Sequence, residues 1–187
     1  MKTRKLSLSI LFGLLTALTA CENHPEDTKE MAEEANEQKF DKPMEKDADF
    51  VTTAANGGMM EVKLGELASS KASSKKVKDF AAMMVTDHSK ANDELKAIAT
   101  QKNISLPSSL SNDMQDKYNE LNSKTGSEFD RAYISYMVKD HKEDIDLFKQ
   151  EAEKGNDSDL KNWASGKIPV LEHHLHMAEQ ADSTLDK

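Results

Sequence analysis

A single cysteine, Cys21, in 187 residues rules out any disulfide within the chain, so stability has to come from packing. Aromatic residues make up only 5% of the chain, and no stretch alternates apolar and polar residues at period two, which argues against a β-rich core. Basic residues are outnumbered 25 to 34, and a net charge of −9 repels nucleic acid and anionic lipid headgroups. Its partners are then cations or basic surfaces, unless the acidity serves solubility alone. Gly-rich phosphate loops, nucleophile elbows, zinc-protease helix signatures and paired-cysteine metal motifs are all missing. So are long hydrophobic runs, apart from one near the N-terminus.

That run, Leu6 to Ala17, follows Lys2, Arg4 and Lys5 and precedes Leu18-Thr19-Ala20-Cys21, the order of regions in a secretory signal. It is interrupted by Ser7, Ser9 and Thr16 and falls short of the roughly 20 apolar residues a spanning helix needs. Leu-Thr-Ala-Cys resembles the lipobox of bacterial lipoproteins, which implies that residues 1–20 are removed and that Cys21 carries the lipid. Of the 25 basic residues three go with the signal and no acidic one does, leaving 22 against 34 and a charge of −12. Membrane attachment is then expected through lipid chains at Cys21, and Glu22 in place of an aspartate points to the outer membrane.

Residues 21–47 are rich in Glu, Asp, Lys and Asn, and read as a disordered acidic tether. Residues 48–187 read as one all-α domain, because the apolar residues recur at steps of three and four. Phe50, Ala54, Leu64 and Ala68 mark a first helix over 49–70. Val77, Ala81, Met84, Ala91 and Leu95 mark a second over 74–102, with Ser73 or Ser74 as its cap. A short crossing segment carries Leu110, Met114, Tyr118 and Leu121. Ser127 with Asp130 resembles a capping box opening a third long helix that ends at Gly155. Asp157 or Ser158 caps the fourth, which turns Leu160, Trp163, Val170, Leu171, Ala178, Ala181 and Leu185 inward, with Pro169 expected to kink or divide it.

Met84-Val85-Thr86-Asp87-His88 repeats as Met137-Val138-Lys139-Asp140-His141, each with an aromatic eight residues before the histidine (Phe80, Tyr133). The chain reads as two related helical hairpins, an antiparallel four-helix bundle with one longer connection.

Four ionisable residues, Glu61, His88, His141 and His174, fall on the apolar stripes, one to each long helix and near its middle. Glu61 and His88 are equidistant from about residue 74, and His141 and His174 from about residue 157, so the four should meet in one layer. Buried without partners such groups cost several kcal/mol, so the layer is either internally hydrogen-bonded or binds something. Three imidazoles and a carboxylate suit Zn²⁺, Fe²⁺ or Cu²⁺, with Asp87, Tyr133, Asp140 and Asp144 as supporting or further ligands. Alternatively Glu61 bridges the imidazoles in a metal-free polar core that fixes helix register. The Glu-x-x-His pattern of di-iron bundles is absent: Val85, Val138 and Leu171 stand three residues before the histidines. Met84, Met137 and Met177 would allow a thioether copper site, although methionines at helical spacing are usually core filler. His24, His173 and His176 read as solvated.

Phe50 to Ala181, through Met60-Glu61-Val62, Phe80 to His88, Phe129-Asp130-Arg131-Ala132-Tyr133 to His141, and Ile168-Pro169-Val170-Leu171 to His174-Leu175, resembles the domain-of-unknown-function 4142 family. The resemblance implies a ferritin-like helical bundle of bacterial envelope proteins and no established reaction. Two functions follow as expectations: a metal- or small-ligand-binding envelope lipoprotein, or a structural and interaction module with no catalytic role.

Overall fold

The computed structural model describes residues 26–185, so the signal segment, the lipidation site Cys21 and His24 lie outside the described residues. Within them every regular element is a helix: α1 (Thr28–Glu37), α2 (Lys42–Lys71), α3 (Lys75–Lys102), α4 (Asn112–Ser123), α5 (Gly126–Lys154) and α6 (Ser158–Leu185). No helix among the described residues is long and apolar enough to cross a membrane.

Four long helices hold the core. Short turns at 72–74 and 155–157 fold α2 onto α3 and α5 onto α6, and the two hairpins meet along α2 with α5 and α3 with α6. Asp130 near the start of α5 reaches the turn before α3, and Lys102 at the end of α3 reaches Asp157 and Asp159 at the start of α6. Thus α3 and α5 run parallel, and the connection 103–125, with α4 in it, returns along the length of the molecule. The two Met-Val-x-Asp-His segments therefore sit on helices that face each other diagonally. They do not mark a duplicated hairpin, as the repeat suggests in sequence.

Each hairpin turn is held by a carboxylate from the other hairpin. Asp130 accepts from the amides of Ser73 and Ser74 at 2.9 and 2.8 Å, and Asp47 on α2 accepts from those of Asn156 and Asp157 at 2.9 and 2.6 Å. Helix-start amides left without an acceptor cost about 1–3 kcal/mol each when buried, and a charged acceptor binds them more strongly than a hydroxyl. This corrects one local expectation, since Asp130 does not close a capping box with Ser127 and the N-cap of α5 is Thr125, whereas Ser74 is the N-cap of α3 as expected, without a side-chain cap bond of its own. Asp157, as expected, caps α6 through the amides of Asp159 and Leu160.

The acidic tether is also corrected, because much of 21–47 is helical. Asp27 caps α1 and accepts from the Asn112 amide at 2.7 Å, while buried Asn36 exchanges two hydrogen bonds with the backbone of Ser105. Asp41 caps α2, with Pro43 in its first turn, so this helix starts before residue 49 and buries Ala48, Phe50 and Val51. Bonds to the 103–112 connection supply what local composition lacks, and α1 packs on α2. At the other end Asn103 takes the left-handed conformation (φ 57°) that closes α3. Pro169 does not divide α6, which is continuous, and Val170 is turned outward, 40% exposed.

Glu151, buried on α5, has one carboxylate oxygen without a partner and lies near Asp47 and Asp157. Burial, then those two acids, raise its pKa to about 7 from 4.5. Below about pH 4.5 both folded and unfolded chains hold this proton and the site costs nothing. Between 4.5 and 7 the folded state alone keeps it, so stability falls as pH rises, by up to about 3 kcal/mol above pH 7. Glu151→Gln is accordingly expected to be more stable than wild type at pH 8 and to lose that advantage at pH 4.5, as urea unfolding at the two pH values would measure.

Candidate metal centre

The apolar core is in two parts. One contains Met60, Leu64, Phe80, Met84, Tyr133, Met137 and Ala178, the other Phe50, Val51, Leu95, Ile145, Phe148, Leu160 and Leu171. On three of the long helices the break between them falls at a histidine, His88 on α3, His141 on α5 and His174 on α6, and on α2 Glu61 stands at the near edge of the first cluster, beside Met60. All four are buried, His141 and His174 completely. The helical period puts them on the inner stripe, and their mid-helix positions bring them to one level.

The three imidazoles form a triangle with ring centres 5.7 Å (His88–His141), 5.1 Å (His88–His174) and 5.5 Å (His141–His174) apart. Partners assign the ring protons. The Met137 carbonyl, 3.1 Å from His141 Nδ1, can only accept, so Nδ1 carries hydrogen and Nε2 presents a lone pair. The Asp87 carboxylate accepts from His174 Nε2 at 2.9 Å, which leaves His174 Nδ1 bare and 3.2 Å from His88 Nε2. His88 Nδ1 stands 2.6 Å from Glu61 Oε2. Glu61 Oε1 lies 3.6 Å from His141 Nε2, too far for a hydrogen bond, and both atoms are buried without a partner.

Burial keeps the layer neutral. It pushes His88 down to about 4 and His141 to about 3, the neighbouring imidazoles adding to the latter, and it lowers His174 against the opposing pull of Asp87. Glu61 is raised well above the usual carboxylate range by burial and then by Asp140. In the metal-free layer the 2.6 Å contact is therefore a bond between neutral groups. Glu61 Oε2 donates to His88 Nδ1, His88 Nε2 to His174 Nδ1, and His174 Nε2 to Asp87. This chain satisfies both nitrogens of His88 and of His174 and leaves Glu61 Oε1 and His141 Nε2 orphaned.

One ligand nitrogen from each of His88, His141 and His174 lies within 4.8 Å of the other two, and a second group of the same kind joins Glu61, Asp140 and His141. Two nitrogens bound to one tetrahedral ion at about 2.0 Å stand about 3.3 Å apart, so the 3.2 Å between His88 Nε2 and His174 Nδ1 is already a ligand spacing. Among the supporting residues, Asp87 holds His174 and Asp140 comes close to Glu61 and His141. Tyr133 is buried with an unpartnered hydroxyl, and Asp144 faces a cavity of about 150 Å³ together with Glu61, Asp87, His88 and His174. That cavity, walled by Phe148, Trp163 and Leu171, was not legible in sequence, since its lining comes from four helices. Met84 and Met137 are buried in the first apolar cluster, Met137 offering its carbonyl to His141. His173 and His176 are exposed.

A family model described as a domain of unknown function, DUF4142, matches residues 29–181. The match begins inside α1, ahead of residue 48 where composition puts the start of the domain. No curated protein and no solved structure matches the chain.

Proposed function

The chain belongs to the DUF4142 family, and from its site we propose that it is an envelope lipoprotein whose helical bundle holds a divalent transition-metal ion between His88, His141 and His174. One observation carries the reading. Each histidine's outer nitrogen is held by its own oxygen partner, Glu61 for His88, the Met137 carbonyl for His141 and Asp87 for His174, and Glu61 turns from donor to acceptor once His88 Nε2 gives up its proton to become a ligand, leaving three inner nitrogens to converge. Metal-binding histidines are oriented in this way, and an outer hydrogen bond raises ligand basicity. Neutral imidazoles suit Zn²⁺, Cu²⁺ and Fe²⁺, and Glu61 Oε1 or a water from the cavity can supply a fourth ligand. The up-down-down-up course of the long helices, with one connection returning along them, supports a ferritin-like bundle. Metal handling at the envelope, in defence against metal or oxidative stress, is the role this reading assigns.

The charged start, apolar run and Leu18-Thr19-Ala20-Cys21 support lipid attachment at Cys21, most simply in the outer membrane. Palmitate labelling that persists in Cys21→Ser would contradict the anchor.

A second reading rests on the chain from Glu61 through His88 and His174 to Asp87, which satisfies most of the layer without metal. In that case the layer only fixes helix register. Elemental analysis of the chain purified without a histidine tag separates the two readings. The metal reading expects about one transition-metal ion per chain and a melting temperature raised by added Zn²⁺, since at a hundred times Kd an ion adds about 2.7 kcal/mol. No bound metal and an unmoved melting temperature would leave the structural reading.

A further inference from the structure

We propose that a second cation, held by oxygen ligands alone, binds beside the histidine site between Glu61, Asp140 and Asp144; this inference rests on the metal reading above. The starting point is the second ligand group, in which Glu61, Asp140 and His141 offer atoms within 4.8 Å of one another. An imidazole nitrogen has one lone pair. If His141 Nε2 serves the histidine site, what remains is a carboxylate set, and Asp144, one helical turn beyond Asp140 on α5, extends it.

Three observations point to a positive occupant. Glu61 Oε1 is buried and has no donor, and it faces another atom without a proton, His141 Nε2. The Tyr133 hydroxyl, also buried and unpartnered, lies in the same charge neighbourhood as Glu61 and Asp140. Neither Asp140 nor Asp144 makes an ion pair with a lysine or arginine among the described residues. Asp140 lies beside the Tyr136 hydroxyl, Lys139 pairs with Glu143, and Lys167 at the cavity with Glu94. Carboxylates so placed are hard ligands suited to Mg²⁺, Mn²⁺ or Ca²⁺. Such cations keep several waters, and a cavity of about 150 Å³ reached by Glu61 and Asp144 has room for them. The centre is then mixed, with a borderline metal on nitrogen and a hard one on oxygen.

The test uses the full chain loaded with Zn²⁺ and titrated with Mn²⁺, free Mn²⁺ being read by its paramagnetic resonance signal and zinc by elemental analysis. The expected result is one Mn²⁺ per chain with zinc retained. Asp140→Asn and Asp144→Asn should each weaken Mn²⁺ binding at least tenfold while zinc content stays at the wild-type level; circular dichroism identifies whichever variant stays folded. One-for-one displacement of zinc by Mn²⁺, or wild-type Mn²⁺ affinity in a folded variant, would overturn the second site. A chain that takes zinc and no Mn²⁺ overturns this inference alone, whereas a chain that takes neither overturns the histidine site as well.

Discussion

His141→Ala is expected to weaken Zn²⁺ binding at least a hundredfold, which is about 2.7 kcal/mol, and to abolish the rise in melting temperature that zinc produces in the wild-type chain. His141 is the ligand with least freedom to be replaced. Its ring is fully buried, its Nδ1 is fixed on the Met137 carbonyl, and its Nε2 has no partner within the layer. Removing it leaves His88 and His174, whose facing nitrogens can still hold an ion but with one coordination position fewer. The metal-free variant tells the structural side of the story. It loses packing, which costs stability, and it also loses a buried acceptor that nothing satisfied, which offsets part of that cost. Calorimetric titration of both chains with Zn²⁺ would measure the difference. Equal affinities would remove His141 from the site.

The second large effect has the opposite sign. Replacing Glu61 by Met and His88, His141 and His174 by Leu is expected to raise the stability of the metal-free chain, by about 1–4 kcal/mol, while eliminating metal binding. Apolar clusters flank the layer on both sides, with Met60, Met84 and Met137 on one and Leu95, Ile145 and Leu171 on the other, so the replacements join a divided core into one. A layer retained against this gain is retained for something other than stability. If the quadruple variant is less stable than wild type without metal, the polar layer contributes net stability and the expected gain is contradicted. Urea unfolding of metal-stripped proteins decides this. Single replacements are less informative, because removing Glu61 alone strands His88 Nδ1 and removing His88 alone strands Glu61 and His174.

Four-residue periodicity makes the inner layer visible in sequence. Glu61, His88, His141 and His174 each interrupt an apolar stripe, and the two hairpin turns place them at the same height. That inference needs only the helical period and short turns at 72–74 and 155–157. What periodicity does not carry is any interaction between residues far apart in the chain. Asp130 reads locally as part of a cap on its own helix, and only the folded hairpins bring it to Ser73 and Ser74. Residues 28–37 read as tether because their own side chains bury little. The helix is secured by Asn36 on Ser105 and Asp27 on Asn112, about seventy to eighty-five residues away. Val170 follows the apolar stripe of α6 in sequence yet faces outward. The Asp87 contact to His174 and the Met137 contact to His141, which assign the ring protons, are equally invisible without coordinates. The first crosses between hairpins, and the second depends on a rotamer.

The proton assignments make the central claim measurable in a single experiment. In the metal-free layer one proton sits on Glu61 and one on His88 Nε2. When His88 Nε2 becomes a ligand it gives up its proton, and the Glu61 proton passes to His88 Nδ1, which then donates to the ionised carboxylate, so one of the two protons leaves. Calorimetric titration of Zn²⁺ into the metal-stripped chain, repeated near neutral pH in buffers of different ionisation enthalpy, counts that proton. The account predicts tight binding with about one proton released per ion at the histidine site. Binding no tighter than that of His141→Ala, or tight binding with no proton released, would contradict it.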